Sequence, residues 1–335
     1  MLGYGWSMSL IGKLLNARVF LILMLLTASN MVLSGPLNLH HPAPSPDGSK
    51  VCFSYQGDLW IVSAQGGKAQ RLTLHVGYDA YPKWSPDGNF IAFSSQRYGS
   101  YDVFVIPATG GIETRVTYHS ADDLVSGWST DSRRILFTSQ RDHPYQQVWE
   151  VPAIGGRAKP LTTIESFDGR KSPDGARLLF TRGAVPYWRK GYRGTAACDL
   201  FLKDLTSGTI VSVTQAPSSE RDGFWSPSGS EILFLSDSTG VYNLFKKNLV
   251  SDQITQLTNH RLSISYLSVA QDASLAAYEL GGEIFLYDFK TGQGRKLELE
   301  ALAATKTNAV EHVTFDSGVS DFAISPDGKL LAFVV

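Results

Sequence analysis

Short apolar runs of five or six residues, each bounded by a tight polar turn, recur along this 335-residue chain. In one stretch Phe90-Ile91-Ala92-Phe93-Ser94 and Tyr101-Asp102-Val103-Phe104-Val105-Ile106 are rich in β-branched and aromatic residues, which predicts two buried strands. The turn has its own signature. Ser-Pro-Asp-Gly stands at Ser45 to Gly48, Ser85 to Gly88, Ser172 to Gly175 and Ser325 to Gly328, with decayed copies at Ser129 to Ser132, Ser226 to Gly229 and Ala270 to Ala273. Proline presets φ, the aspartate side chain bonds to nearby backbone, and glycine accepts positive φ. The third turn positions, Asp47, Asp87, Asp131, Asp174, Ser228, Asp272 and Asp327, lie 40, 44, 43, 54, 44 and 55 residues apart. An all-strand repeat of that period predicts β-propeller blades. A second strand built on an aromatic keeps the same beat at Trp60, Phe104, Trp149, Phe201, Phe245 and Phe285, followed by a Gly-rich turn and a Leu-Thr-like ending. The expected fold is therefore all-β, a six-bladed β-propeller of four-stranded blades.

Composition changes this picture little. Hydrophobic residues make up 43%, charged residues 18%, and the net charge is −1, an ordinary globular balance that gives no basic footprint for nucleic acid. The first 35 residues stand apart. Lys13 and Arg18 precede the apolar run Val19 to Leu26, with small residues up to Ser34. This pattern predicts a signal-peptide helix over residues 1–35, with an uncleaved anchor as the alternative, and export to a periplasm or the cell exterior. Residues 37–310 are assigned to the propeller. Cys52 and Cys198 fall in blades one and four, too far apart for a disulfide, and no spacing suggests a metal site or a cofactor.

No catalytic constellation is visible. The chain has no Gly-x-Ser-x-Gly elbow, no phosphate loop and no paired carboxylates set apart from turns. A channel-lined lyase or glycosidase would need acids converging on the channel, whereas the acids here sit mainly in repeated turn positions. Blade four departs from its neighbours. It carries the insertion Val185 to Gly194 between its second and third strands, and Arg170-Lys171 replaces the aromatic that precedes the turn elsewhere, as at Trp84 and Trp225. Arg170, Lys171, Arg182, Trp188, Arg189, Lys190, Tyr192 and Arg193 thus form a basic and aromatic candidate site for a peptide carboxylate or another anion. The alternative is that Trp188 and Tyr192 merely pack the loop onto a neighbouring blade.

The segment Pro186 to Gly194, the opening Gly57-Asp58-Leu59-Trp60 and the run Tyr78 to Gly88 resemble the N-terminal propeller of tricorn-type serine peptidases. The resemblance implies a second propeller, a PDZ domain and catalytic domains further along, and residues 311–335 look like the truncated start of that second propeller. It also implies a role in guiding peptides to or from a protease chamber, with peptides and the C-terminal peptidase domains as partners, a hexamer for the full-length protein, and no catalytic residue in this chain. One family feature is missing: where an arginine pair would anchor the substrate carboxylate, the loop reads Tyr118-His119-Ser120-Ala121-Asp122-Asp123-Leu124. The alternative reading is an exported TolB-like propeller acting as a protein-interaction module.

Overall fold

The computed structural model describes residues 37–302, 320–326, 328 and 331–334. The expected signal-peptide helix lies outside the described residues, among which no helix occurs. None is therefore long and apolar enough to cross a membrane.

Six four-stranded antiparallel sheets follow one another along the chain, each built from one continuous segment. The innermost strands are His40–Pro44, Asp79–Trp84, Asp123–Trp128, Phe167–Lys171, Glu220–Trp225 and Ser265–Val269. Each leads through the Ser-Pro-Asp-Gly-type turn into the second strand, as the repeat predicts. In the intact copies the serine hydroxyl donates to the aspartate carboxylate, at 2.6 Å for Ser45 to Asp47 and for Ser85 to Asp87. The same hydroxyl accepts the backbone N–H five residues on, at 2.9 Å for Lys50 and Phe90. The Ser45 hydroxyl, with the N–H and hydroxyl of Ser49, donates to the Asp47 carboxylate and holds it down at about 2.

Within each blade an aromatic of the second strand faces an aromatic of the third: Phe53 opposite Trp60, Phe93 opposite Phe104, Phe137 opposite Trp149, Phe180 opposite Phe201, Phe234 opposite Phe245 and Tyr278 opposite Phe285. Such cross-strand pairs are strong local contributors to sheet stability. The Leu-Thr ending closes the blade. Thr73, Thr117, Thr162, Thr214 and Thr258 each accept a third-strand backbone N–H through Oγ1, at 2.9 to 3.0 Å.

Blade six has Glu298 in place of that threonine, and there the chain runs on to close the ring. Leu299–Glu300 pairs in parallel with Gly67–Lys68 of blade one. Elsewhere along the seam of blades one and six Leu39 N donates to Gly282 O at 3.2 Å, His41 N to Glu279 Oε1 at 2.7 Å and Asp272 N to Pro46 O at 3.2 Å. Among the described residues neither four-stranded sheet takes a strand from the other blade, so this short parallel pairing, backbone hydrogen bonds and side-chain contacts close the ring. Residues Ser320–Ile324 and Leu331–Val334 form a separate antiparallel two-stranded sheet.

The fourth turn residue is left-handed in every copy described, whether glycine (Gly88, φ 72°) or not (Ser132, φ 59°; Ala273, φ 51°). A left-handed L-residue costs roughly 1–2 kcal/mol, partly offset by the lower unfolded-state entropy of a non-glycine chain. Ala273→Gly is expected to raise the thermal unfolding midpoint. Gly88→Ala, where the nearest atoms to an added Cβ are 3.9 Å away and only conformation opposes it, is expected to lower stability by about 1 kcal/mol.

Candidate functional site

Alignment of the six inner strands on their turns places the channel wall in register. Four residues ahead of the turn serine, or of Ala270 in blade six, stand His41, Tyr81, Val125, Asp168, Asp222 and Tyr266. All but Val125 have positive φ, between 51° and 54°, and the pairing register slips at that point of those five inner strands. A β-bulge with a left-handed residue re-aims its side chain and strains the backbone, and such strain persists where packing enforces it. Val125 is β-branched and does not adopt this conformation; blade three takes its register slip between Val125 and Gly127 instead. Behind Asp168 the next residue must be glycine, because a Cβ on Gly169 would lie 2.3 Å from a methyl of Val148.

These side chains line a cavity of about 420 Å³ at the start of the inner strands, away from the turns. One part of its wall is aromatic: the His41 ring lies 4.2 Å from Tyr81 and 4.5 Å from Tyr266, and Tyr187 lies 5.1 Å from Tyr266. Another part carries the carboxyls of Asp168 and Asp222. Burial, reinforced by the Asp222 charge, raises the Asp168 carboxyl above the usual aspartate range. Burial and the nearby cations His40 and Lys83 lower His41 to about 3, so its imidazole is neutral at ordinary pH.

A second cavity, of about 400 Å³, lies at the turn end of the strands and is walled by Trp84, Trp128 and Trp225 together with turn prolines. The indole N–H groups of these tryptophans donate to the inner strand of the preceding blade, Trp84 to Ala43 O at 3.0 Å, Trp128 to Lys83 O at 2.9 Å and Trp225 to Arg170 O at 3.1 Å. Lys83 and Arg170, two residues ahead of the turn in blades two and four, line both cavities and mark the waist of the channel.

The eight candidate residues do not form one cluster. Arg170 is in the channel, its guanidinium 3.7 Å over the Phe224 ring, with Nη1 donating to Asp168 O and Gly223 O. Lys171 lines the turn-side cavity, but its ammonium is paired with Glu150 at 2.7 Å. Arg182 lies over Phe201, away from both cavities. Arg193 is bonded to Asp237 at 2.9 Å, and Gly191 N donates to the same carboxylate, so the arginine ties the insertion to blade five. Arg189, 4.4 Å over Tyr192, and Lys190 are exposed on the insertion. Trp188 lines the first cavity at its rim and is 79% exposed.

The residue that packs the insertion is Tyr187, rather than the Trp188 and Tyr192 expected for that role. Its hydroxyl donates to Asp222, its ring lies against Tyr242 and Tyr266, and the Arg221 guanidinium stacks 3.6 Å above it. Arg221 in turn donates to Val185 O at 3.1 Å. A second correction concerns the acids. Turn aspartates are numerous, but Asp168 and Asp222 are set apart from turns and converge on the channel, because the bulge turns them inward. The signal that could have found them, and Lys83, was the fixed offset from the turn. Among the described residues no group of His, Cys, Asp and Glu could hold a metal ion, and Cys52 and Cys198 are free buried thiols.

The fold and this wall define a six-bladed β-propeller with a polar axial channel partly covered by one loop. The profile of the Tricorn protease N-terminal beta propeller domain matches residues 38–293, and the chain belongs to that family. It is 28% identical over 263 residues to Tricorn protease homolog 1 of Streptomyces coelicolor, covering 76% of this chain and 24% of that protein. The chain thus spans about a quarter of that relative's length. The crystal structure of the tricorn protease superposes with a TM-score of 0.70 at 21% identity, over 90% of this chain and 30% of that one. TolB from Acinetobacter baumannii gives 0.60 at 18%, over 78% of this chain and 64% of that one, a likeness of fold.

Two outcomes test this architecture. Gly169→Ala is expected to lower stability by about 1–3 kcal/mol in denaturant unfolding, from overpacking against Val148. Because the folded pKa of His41 lies below its ordinary 6.5, the unfolded chain binds the extra proton between 6.5 and about 3. Stability contributed by this group is full above that window and is lost as pH falls through it. His41→Asn, which tolerates the left-handed backbone, is expected to flatten the stability–pH slope there.

Proposed function

We propose that this chain is the substrate-handling propeller of a larger tricorn-type serine peptidase. In this reading it binds peptides in its channel and passes them to or from a protease chamber, and the catalytic residues lie in other domains of the parent protein. The observation that carries the reading is the channel wall. One inner strand from each blade contributes to it, it offers charged groups and aromatic faces along its length, and the blade-four insertion covers one end. The covering loop is held at two places, by Tyr187 on Asp222 and by Arg193 on Asp237. Its exposed Trp188, Arg189 and Lys190 are the groups an arriving peptide meets first. Loops on a rigid scaffold commonly carry such a role. The proposal extends to export, to the peptidase domains as partners and to a hexameric parent, in line with the family.

The test is binding of fluorescently labelled peptides of six to twelve residues, read by anisotropy. Wild type is expected to bind them with micromolar to millimolar affinity. Tyr187→Phe, which removes the bond to Asp222 while keeping the ring, is expected to speed association and dissociation several-fold with little change in affinity. Absence of peptide binding, with capture of a folded protein partner instead, would favour the TolB-like interaction module.

A further inference from the structure

We infer that the first cavity is a binding site for a neutral saccharide, whose ring lies against His41, Tyr81 and Tyr266 while its hydroxyls bond to Asp168, Lys83 and the tyrosine hydroxyls. Such a ligand goes beyond the peptide path proposed above, and its site does not rest on that reading.

Three rings come together on one side of the cavity. His41 lies 4.2 Å from Tyr81 and 4.5 Å from Tyr266, and the two tyrosines are 6.3 Å apart. All three occupy the left-handed bulge position, so three separate blades bring them to one level of the wall. The tyrosine faces carry the negative side of the ring quadrupole, which attracts the polarised C–H groups of a sugar. Trp188 adds an exposed ring at the rim.

The same wall holds polar groups whose hydrogen bonds the protein leaves unmade. Among the described residues the buried His41 Nδ1 and Arg170 Nε have no hydrogen-bond partner. The Lys83 ammonium, the Asp168 carboxyl and the Tyr81 and Tyr266 hydroxyls, which line the cavity with them, likewise make no hydrogen bond. Their charges, by contrast, are met. Asp168 and Asp222 favour the Lys83 ammonium, and Arg170, Arg221 and Lys83 favour the Asp168 carboxylate. A confined polar group without a hydrogen bond is costly, and a ligand that supplies the partner recovers that cost.

This mixture selects the class of ligand. Because Asp168 and Asp222 are interspersed with Lys83, Arg170 and Arg221, a full charge of either sign is attracted by one set and repelled by the other. A neutral ligand avoids that conflict. A peptide brings one backbone donor and one acceptor per residue, about 3.3–3.6 Å apart along the chain. A pyranose carries a hydroxyl on most of its ring carbons, and each hydroxyl both donates and accepts. Neighbouring hydroxyls of one sugar ring therefore reach a carboxyl and an ammonium together, and the C–H face is left for the aromatic side of the wall. The cavity, at about 420 Å³, falls within the range of about 300–1,000 Å³ found for small-molecule sites.

The test uses the whole purified chain, cellobiose, lactose and maltose as neutral probes, and saturation-transfer NMR with isothermal titration as readouts. At least one disaccharide is expected to bind with millimolar affinity or better, with transfer to its ring C–H protons. Asp168→Asn, which suits the left-handed backbone, is expected to weaken that binding about tenfold. Tyr81→Phe keeps the ring and loses only a hydroxyl without a protein partner, so it is expected to weaken binding about threefold with the thermal midpoint unchanged. The charged sugars glucosamine and glucuronic acid are expected to compete less well than glucose. Failure of all three disaccharides to bind, binding undiminished in both variants, or better competition by either charged sugar than by glucose would each overturn the assignment. If the labelled peptides bind and the disaccharides do not, the saccharide site fails and the peptide path stands; if only the disaccharides bind, the reverse holds.

Discussion

The left-handed bulge four residues ahead of each turn is the constraint on which the channel depends. An inner strand with regular alternation would aim every second side chain along the channel wall in the same way in all blades. The bulge breaks that alternation, and five of the six inner strands accept a strained backbone to turn His41, Tyr81, Asp168, Asp222 and Tyr266 inward. Beside one of these residues the packing is tight enough that a Cβ on Gly169 would clash with Val148. Asp321 has the same positive φ, 48°, at the same offset in the separate C-terminal hairpin, which places the device within the repeat rather than within one blade.

Around that constraint adjacent blades share buried apolar clusters, such as Ala92 and Val103 with Ile135 and Phe137, and polar contacts cross the same seams. Ser54 donates to Asp79 O, Ser94 to Asp123 O and Ser126 to Gly169 O, all at 2.9 Å, so buried hydroxyls tie each blade to the inner strand of the next. The tryptophans do the same through their indole N–H groups. Because the waist is assembled from matched positions of the blades, a change of residue type at one position alters the channel without altering the fold. Blade three shows this with Gly127, and blades two and four with their cations.

The blade-four insertion is where the regular repeat gives way to specific chemistry. Its basic residues are divided between two tasks, Arg193 binding the loop to blade five while Arg189 and Lys190 stay in solvent. Tyr187 joins the insertion to Asp222 and to the rings of blades five and six, which couples the loop directly to the acidic part of the wall. Membership in the tricorn propeller family and the likeness to the tricorn protease fold agree with the propeller scaffold that carries this loop.

Sequence alone determined the number of blades, the strand order within them and the turn chemistry, because these rest on local interactions repeated at a fixed period: a serine and an aspartate two residues apart in four of the six blade turns, an aromatic in each third strand, a threonine at the ending of five blades. It also marked blade four as the exception. Which charges act on the channel was decided only by the tertiary structure. Lys171 and Arg193 read as free cations in the sequence, yet Glu150 and Asp237, distant along the chain, neutralise them. Lys83 reads as an ordinary strand lysine, and only the tertiary structure shows that it lines both cavities together with Arg170. Ring closure itself came from contacts between residues more than 200 positions apart, such as His41 with Glu279, and no local pattern encodes a meeting of that kind.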